Sequence, residues 1–224
     1  MTNDLGIKSI KMKKITIFSV ALLSSFLGFT QEVKFGIFAG PHVSSATYSV
    51  EGVNQPTDAK VGFHIGATYK IEFDNKLFFA PAISYKLMGY KVALNRPSFP
   101  PDLLAKDNNT TFHEVDVDVL LHFECGKKPD HFFFRFGPSF NFILWGNETF
   151  NLETGENVEQ SMKFSTTKGY GRYDASLVGQ FGYETSKGIT IYAHYAEHML
   201  SMNNQDKGPT IRNRMGGITV GKYF

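Results

Sequence analysis

The 224-residue sequence predicts an all-β fold: an eight-stranded, antiparallel, up-and-down transmembrane β-barrel. Three observations carry that prediction. Apolar and polar residues alternate with a period of two; in VGFHIGATYKIEF (61–73) the odd positions are Val61, Phe63, Ile65, Ala67, Tyr69, Ile71 and Phe73, and the even ones are small or polar. The connections alternate in length, as in barrels with short periplasmic turns and longer extracellular loops. After residue 30 no run is apolar and long enough for a membrane helix, yet there are 22 Phe, 10 Tyr and 21 Gly, a composition that suits strands with glycine at crowded places.

The elements follow in order. Lys11, Lys13 and Lys14 precede ITIFSVALLSSFLGF, a basic n-region and a short apolar run, so residues 1–30 are expected to be a signal peptide, with 1–11 an upstream extension before Met12. Residues 31–224 are then the barrel domain. Removing 1–30 takes away Lys8, Lys11, Lys13, Lys14 and Asp4, leaving 19 basic and 20 acidic side chains, which gives no reason to expect nucleic acid as a partner. Cys125 is the one cysteine, so no internal disulfide forms. Strands are predicted at 33–48, 58–73, 77–93, 111–125, 131–146, 169–184, 189–201 and 210–224. Tight turns fall at 74–76, 126–130 and 185–188, and longer loops at 49–57, 94–110, 147–168 and 202–209. Loop 147–168 can itself be a raised hairpin turning at Thr154-Gly155. The even strand count puts both termini on the periplasmic side.

The stretch EVDVDVLLHF (114–123) shows what the two faces meet. Val115, Val117, Val119, Leu121 and Phe123 are expected to face lipid, and Glu114, Asp116, Asp118, His122 and Glu124 the lumen. Eight strands leave an interior just wide enough for side chains, and buried charges need partners. Lys34, Lys60, Lys70, Lys86, Arg135 and Arg172 fall on the inward phase. A lumenal ionic network is therefore expected, drawn from Glu114, Asp116, Asp118, Arg135, Arg172, Asp174, Lys70 and Glu72, in place of a pore. A soluble barrel would have the same period with the faces exchanged. Bulky Phe and Tyr on nearly every apolar face, unequal loops at the two ends and the terminal Tyr223-Phe224 weigh against it. Pro41, Pro81 and Pro138 lie within strands and are expected at local bulges.

No catalytic, cofactor or metal residues are predicted. His113 lies on the opposite phase from the acids, and no metal-ligand signature is present. His194, His198 and Ser201 near the end of the seventh strand raise the reading of a lipid-modifying hydrolase, though their spacing fits no known pattern. Gly169-Tyr170-Gly171 lacks the helix and Lys-Ser/Thr of a phosphate loop. The loop 94–110 is stiffened by Pro97, Pro100 and Pro101 and carries Phe99, Leu103 and Leu104 as apolar anchors for docking, or for folding down over the barrel mouth.

The first strand KFGIFAGPHVS, the fourth HEVDVDVLLHFE, the fifth FFFRFGPSFNFIL and the final GGITVGKYF resemble the PorT-like outer-membrane β-barrel family of Bacteroidota. Lys222 departs from that pattern, standing where an apolar outward residue is usual. The resemblance implies an integral outer-membrane protein, some relatives of which serve in type 9 secretion. The expected role is non-enzymatic, structural or accessory in the envelope. A minor channel for ions or small solutes and a lipid-modifying enzyme remain alternatives. Expected partners are outer-membrane lipids, the barrel-insertion machinery through the strand ending at Phe224, and an unidentified envelope protein.

Overall fold

The computed structural model describes residues 33–95, 105–126 and 129–224. The expected signal peptide and the loop tip with Phe99, Leu103 and Leu104 lie outside the described residues. The strands are β1 (Val33–Val50), β2 (Val53–Gln55), β3 (Thr57–Asp74), β4 (Leu77–Ala93), β5 (Asp107–Cys125), β6 (His131–Asn151), β7 (Asn157–Ser161), β8 (Tyr173–Glu184), β9 (Ile189–His198) and β10 (Thr210–Tyr223). Eight of them form a ring in the order β1-β3-β4-β5-β6-β8-β9-β10, all antiparallel. β10 returns to pair with β1 from Gly36↔Tyr223 to Ser49↔Thr210. Closure gives every wall strand two partners, which a sheet in hydrocarbon requires.

The two remaining strands are short and sit at the long-loop end. β2 pairs with the end of β1, and β7 pairs with β6. The stretch predicted as a raised hairpin is one, turning at Gly155 with φ +88°. Its arms lengthen the wall, so β5 and β6 run further than their alternation suggested. Residues 169–172 belong to the loop and not to β8. At the opposite end the turns are tight. The Asn75 N–H donates to Asp74 Oδ1 (2.7 Å), and Gly188 takes φ +75° where a Cβ would stand 2.9 Å from the Tyr223 carbonyl.

The faces fall as the alternation predicts over the half of the wall nearest the short turns. Ile65, Val117, Phe134 and Ile191 point out, while His64, Asp116, Arg135 and Thr190 are buried inside. Towards the long loops the pattern inverts. In SATYSV (45–50), Ser45, Thr47 and Ser49 face outward and Ala46, Tyr48 and Val50 are buried. β4 buries Met88, Tyr90 and Val92, and β5 buries Phe112. Here the outer wall meets water, so the hydrophobic effect fills the interior in the ordinary direction. A single extra residue in β6, a bulge opposite His113 and Glu114, switches its inward set from Arg135, Ser139 and Asn141 to Glu148 and Phe150. The switch leaves Trp145 outside, stacked on His113 at 4.5 Å.

The three prolines are not at bulges. Each lies beside a small residue where pairing to one neighbour lapses for two residues and resumes in the same register. Gly40-Pro41 falls in a gap against β10, Ala80-Pro81 against β3, and Gly137-Pro138 against β5. A proline has no N–H to donate to that neighbour, and the ladder steps over it. The bulges lie instead between Ala59 and His64, between Glu72 and Asp74, and at His113/Glu114.

Candidate functional site

The lumen is built in three layers. Nearest the short turns, Lys70 reaches Glu124 (2.5 Å) and Glu184 (2.9 Å). Arg135 stands over the Phe133 ring at 4.2 Å; its Nε donates to His122 Nδ1 (2.7 Å), and its two terminal nitrogens donate to Gln180 and to the Tyr223 hydroxyl. The donor atoms of His122, Glu124, His131 and Glu184 lie within 4.8 Å of one another, a spacing that could hold a metal ion. The surroundings argue otherwise. The Lys70 ammonium already supplies the cation to both carboxylates. Arg135 occupies His122 Nδ1, so the ring proton of neutral His122 sits on Nε2, the atom a metal would need. The cluster is an ion-pair network capped by two imidazoles.

The middle layer holds a relay of three histidines. His42 Nε2 faces the Leu87 carbonyl at 3.1 Å, and a carbonyl only accepts, so that nitrogen carries the proton. In a neutral chain His42 Nδ1 then accepts from His64 Nδ1 (3.2 Å), His64 Nε2 accepts from the Thr219 hydroxyl (2.9 Å), and Thr219 accepts from His194 Nδ1 (3.0 Å). One backbone carbonyl thereby sets the tautomer of all three rings. The series ends on a bare His194 Nε2 beside a cavity of about 20 Å³ whose lining includes Ser84 and Asp118, room for one water. Across from it stand the acids of β5. Lys86 binds Asp116, while Glu114 and Asp118 are buried beside that pair. Asp174 accepts from His198 Nδ1 at 2.9 Å.

The layer nearest the long loops is largely aromatic and aliphatic, with Asn108, Thr110, Glu148 and Asn213 buried beside it. Tyr48, Tyr90, Phe112, Met88, Ile211 and Met215 are all at most 2% exposed and close the barrel above the acids. Tyr170 comes down from the loop 162–172 and donates to Glu148, which also accepts from Gln160 (3.2 Å). Burial holds the Tyr170 phenol well above its ordinary pKa. Tyr170→Phe should lower stability by about 1–3 kcal/mol, because a buried carboxylate loses a donor. Urea unfolding of the two proteins in the same lipid checks this. The apolar layer was not anticipated, although the inverted alternation of SATYSV carries its signal.

A model of the outer membrane protein beta-barrel domain matches residues 28–198. The chain belongs to this family. No curated protein matches it. Among solved structures it is similar to Ail, the attachment invasion locus protein of Yersinia pestis, at 14% identity over 86% of this chain and 99% of that one, with a TM-score of 0.45. It is also similar to the outer membrane protein OprG from Pseudomonas aeruginosa, at 12% identity over 87% and 97% with a TM-score of 0.46. Neisserial surface protein A gives 11% identity over 86% and 99%, with a TM-score of 0.43.

For this outer membrane β-barrel the expected network needs three corrections. Glu114, Asp116, Asp118, Asp174, Lys70 and Arg135 are buried within the barrel as expected. Glu72 is exposed, beside the bulge between Glu72 and Asp74. Arg172 precedes β8 and leaves the lumen altogether; its Nη1 donates to the carbonyls of Ile143 (3.0 Å) and Leu144 (2.6 Å), and its guanidinium covers Phe164 at 4.2 Å. Arg135 bonds His122, Gln180 and Tyr223, where carboxylate partners were anticipated. The rim reading of a hydrolase finds no constellation. Ser201 Oγ accepts the backbone N–H groups of Ile211 (3.1 Å) and Asn203 (3.3 Å), His198 is spent on Asp174, and His194 belongs to the relay. Lys222, the departure in the last strand, extends to the Lys187 carbonyl at the short-turn end, carrying its charge out of the lipid.

Proposed function

We propose that this outer-membrane barrel is a closed, non-conducting and non-enzymatic wall element that offers its long-loop end to other envelope components. The supporting observation is the filled lumen, with ion pairs below, the histidine relay in the middle and the aromatic and methionine layer above. In planar bilayers the purified protein should give no steady conductance at neutral pH, whereas reproducible single-channel steps would replace this reading with that of a minor channel. In this reading the short turns and both termini are periplasmic. Cys125, exposed at the short-turn end, provides the check. A membrane-impermeant maleimide added to intact cells should spare Cys125 yet label a cysteine placed at Glu153. Membership of the PorT-like branch belongs to the same proposal, supported by the strand patterns quoted above. So does docking through Phe99, Leu103 and Leu104. Replacing Leu103 and Leu104 by Ser should leave the barrel's heat-resistant gel migration unchanged and weaken co-purification of a partner.

A further inference from the structure

Arg172, displaced from the lumen, stands at the floor of a crevice of about 260 Å³ between the loop 162–172 and Asn204, with Phe164, Ser165, Thr166 and Tyr173 on its sides. The crevice is built. Asn204 is tied to the loop by its N–H to the Gly169 carbonyl (2.8 Å) and by its side-chain amide to the Ser165 carbonyl (2.9 Å). Arg172 is pinned by one nitrogen to the two carbonyls of β6 and stacked on Phe164. Its other two nitrogens have no protein partner among the described residues, and no carboxylate pairs with it. The loop MKFSTTKGYGR (162–172) adds exposed Lys163 and Lys168 and contains no acid.

The depth of the crevice narrows the choice of ligand. Tyr173 pairs with Phe142, and Phe142 with Val115; this row belongs to the lipid-facing wall of β8, β6 and β5. Arg172 lies one residue beyond it, at the edge of this apolar row. Half-exposed Met199 and Leu200 are held beside the start of β8 by N–H bonds to the Ala175 carbonyl (2.8 Å) and to Asp174 (3.1 Å). Apolar wall below, a fixed guanidinium fork at the boundary and hydroxyl and amide groups around it form a single amphipathic site.

We propose that this crevice binds the phosphorylated sugar headgroup of a lipid in the leaflet that borders the long-loop end. Arg172 meets the phosphate with its two free N–H edges, a charge-assisted fork that an ammonium cannot reproduce. The proposal rests on the barrel spanning a membrane, and holds whichever side the long loops face.

The test uses full-length protein in phosphatidylcholine vesicles with and without lipid A, extracted in mild detergent, with retained lipid counted by native mass spectrometry. Heat-resistant gel migration first establishes insertion; a failure there would count against the membrane-spanning reading itself. The wild type should retain lipid A and not its dephosphorylated form. Arg172→Gln should cut retention about tenfold, the size of one lost charge-assisted contact. Phe164→Leu, which removes the ring beneath the guanidinium, should cut it severalfold and covers the case in which the Arg172 variant does not fold. Arg212→Gln, an outward arginine of β10 away from the crevice, should change nothing. Equal losses from the Arg172 and Arg212 changes would reduce the effect to diffuse surface charge and overturn the site. Displacement of lipid A by inorganic phosphate would also overturn it, as a site for the free anion.

Discussion

Replacing Lys86 by Met is expected to destabilise the barrel by about 3–5 kcal/mol, because it strands buried acids without their cation. Lys86 is bound to Asp116, which is 0% exposed, and Glu114 and Asp118 stand on the same inner face two residues to either side. The three acids are buried, between the aromatic and methionine layer on one side and the Lys70 cluster on the other. Urea titration in lipid vesicles, followed by gel migration, gives the difference. Lys86→Met combined with Asp116→Asn should recover much of it, since the second change removes the stranded charge. A loss below about 1 kcal/mol for the single variant would mean that these acids do not depend on Lys86.

Val117→Arg is the second large expectation, at about 2–4 kcal/mol, because Val117 faces outward on the lipid-facing wall. Asn109→Arg gives the control. It lies on the same strand and the same outer face, but beyond the point at which the alternation inverts; it forfeits the hydrogen bond from Lys60 Nζ to Asn109 Oδ1 (2.6 Å) and should cost no more than about 1 kcal/mol. If both substitutions cost alike, the lipid belt extends further than the inversion indicates. An arginine at Ser176, on the lumenal side of β8, has no room, since Ser176 is 1% exposed.

The fold was legible because a period of two over thirteen residues admits few other readings, and the comb of Glu114, Asp116 and Asp118 identified the inward face. What escaped has physical causes. Arg172 was assigned inward by extending the phase of a strand past its true start. Glu72 keeps the inward register opposite Phe78, but it stands at the end of β3 beside the turn, where it is exposed. The histidine relay joins β1, β3, β9 and β10, so its members are up to 177 positions apart and meet only once the ring closes through the β10–β1 ladder. The prolines were expected at bulges, and none is at one. That each would be absorbed as a two-residue gap, with register kept, depends on the neighbouring strand.

The inversion of the alternation along the wall acts as a waterline. Below it the molecule is dressed for oil, and above it for water, with the change made within a few residues on β1, β4 and β5. Sliding the barrel inward by one strand pair would sink the Ser45–Thr47–Ser49 row in hydrocarbon, and sliding it outward would lift Val43 and Val61 into solvent. The protein therefore floats at one draught, and the loops above it stand at a fixed height over the membrane surface, whatever they meet there.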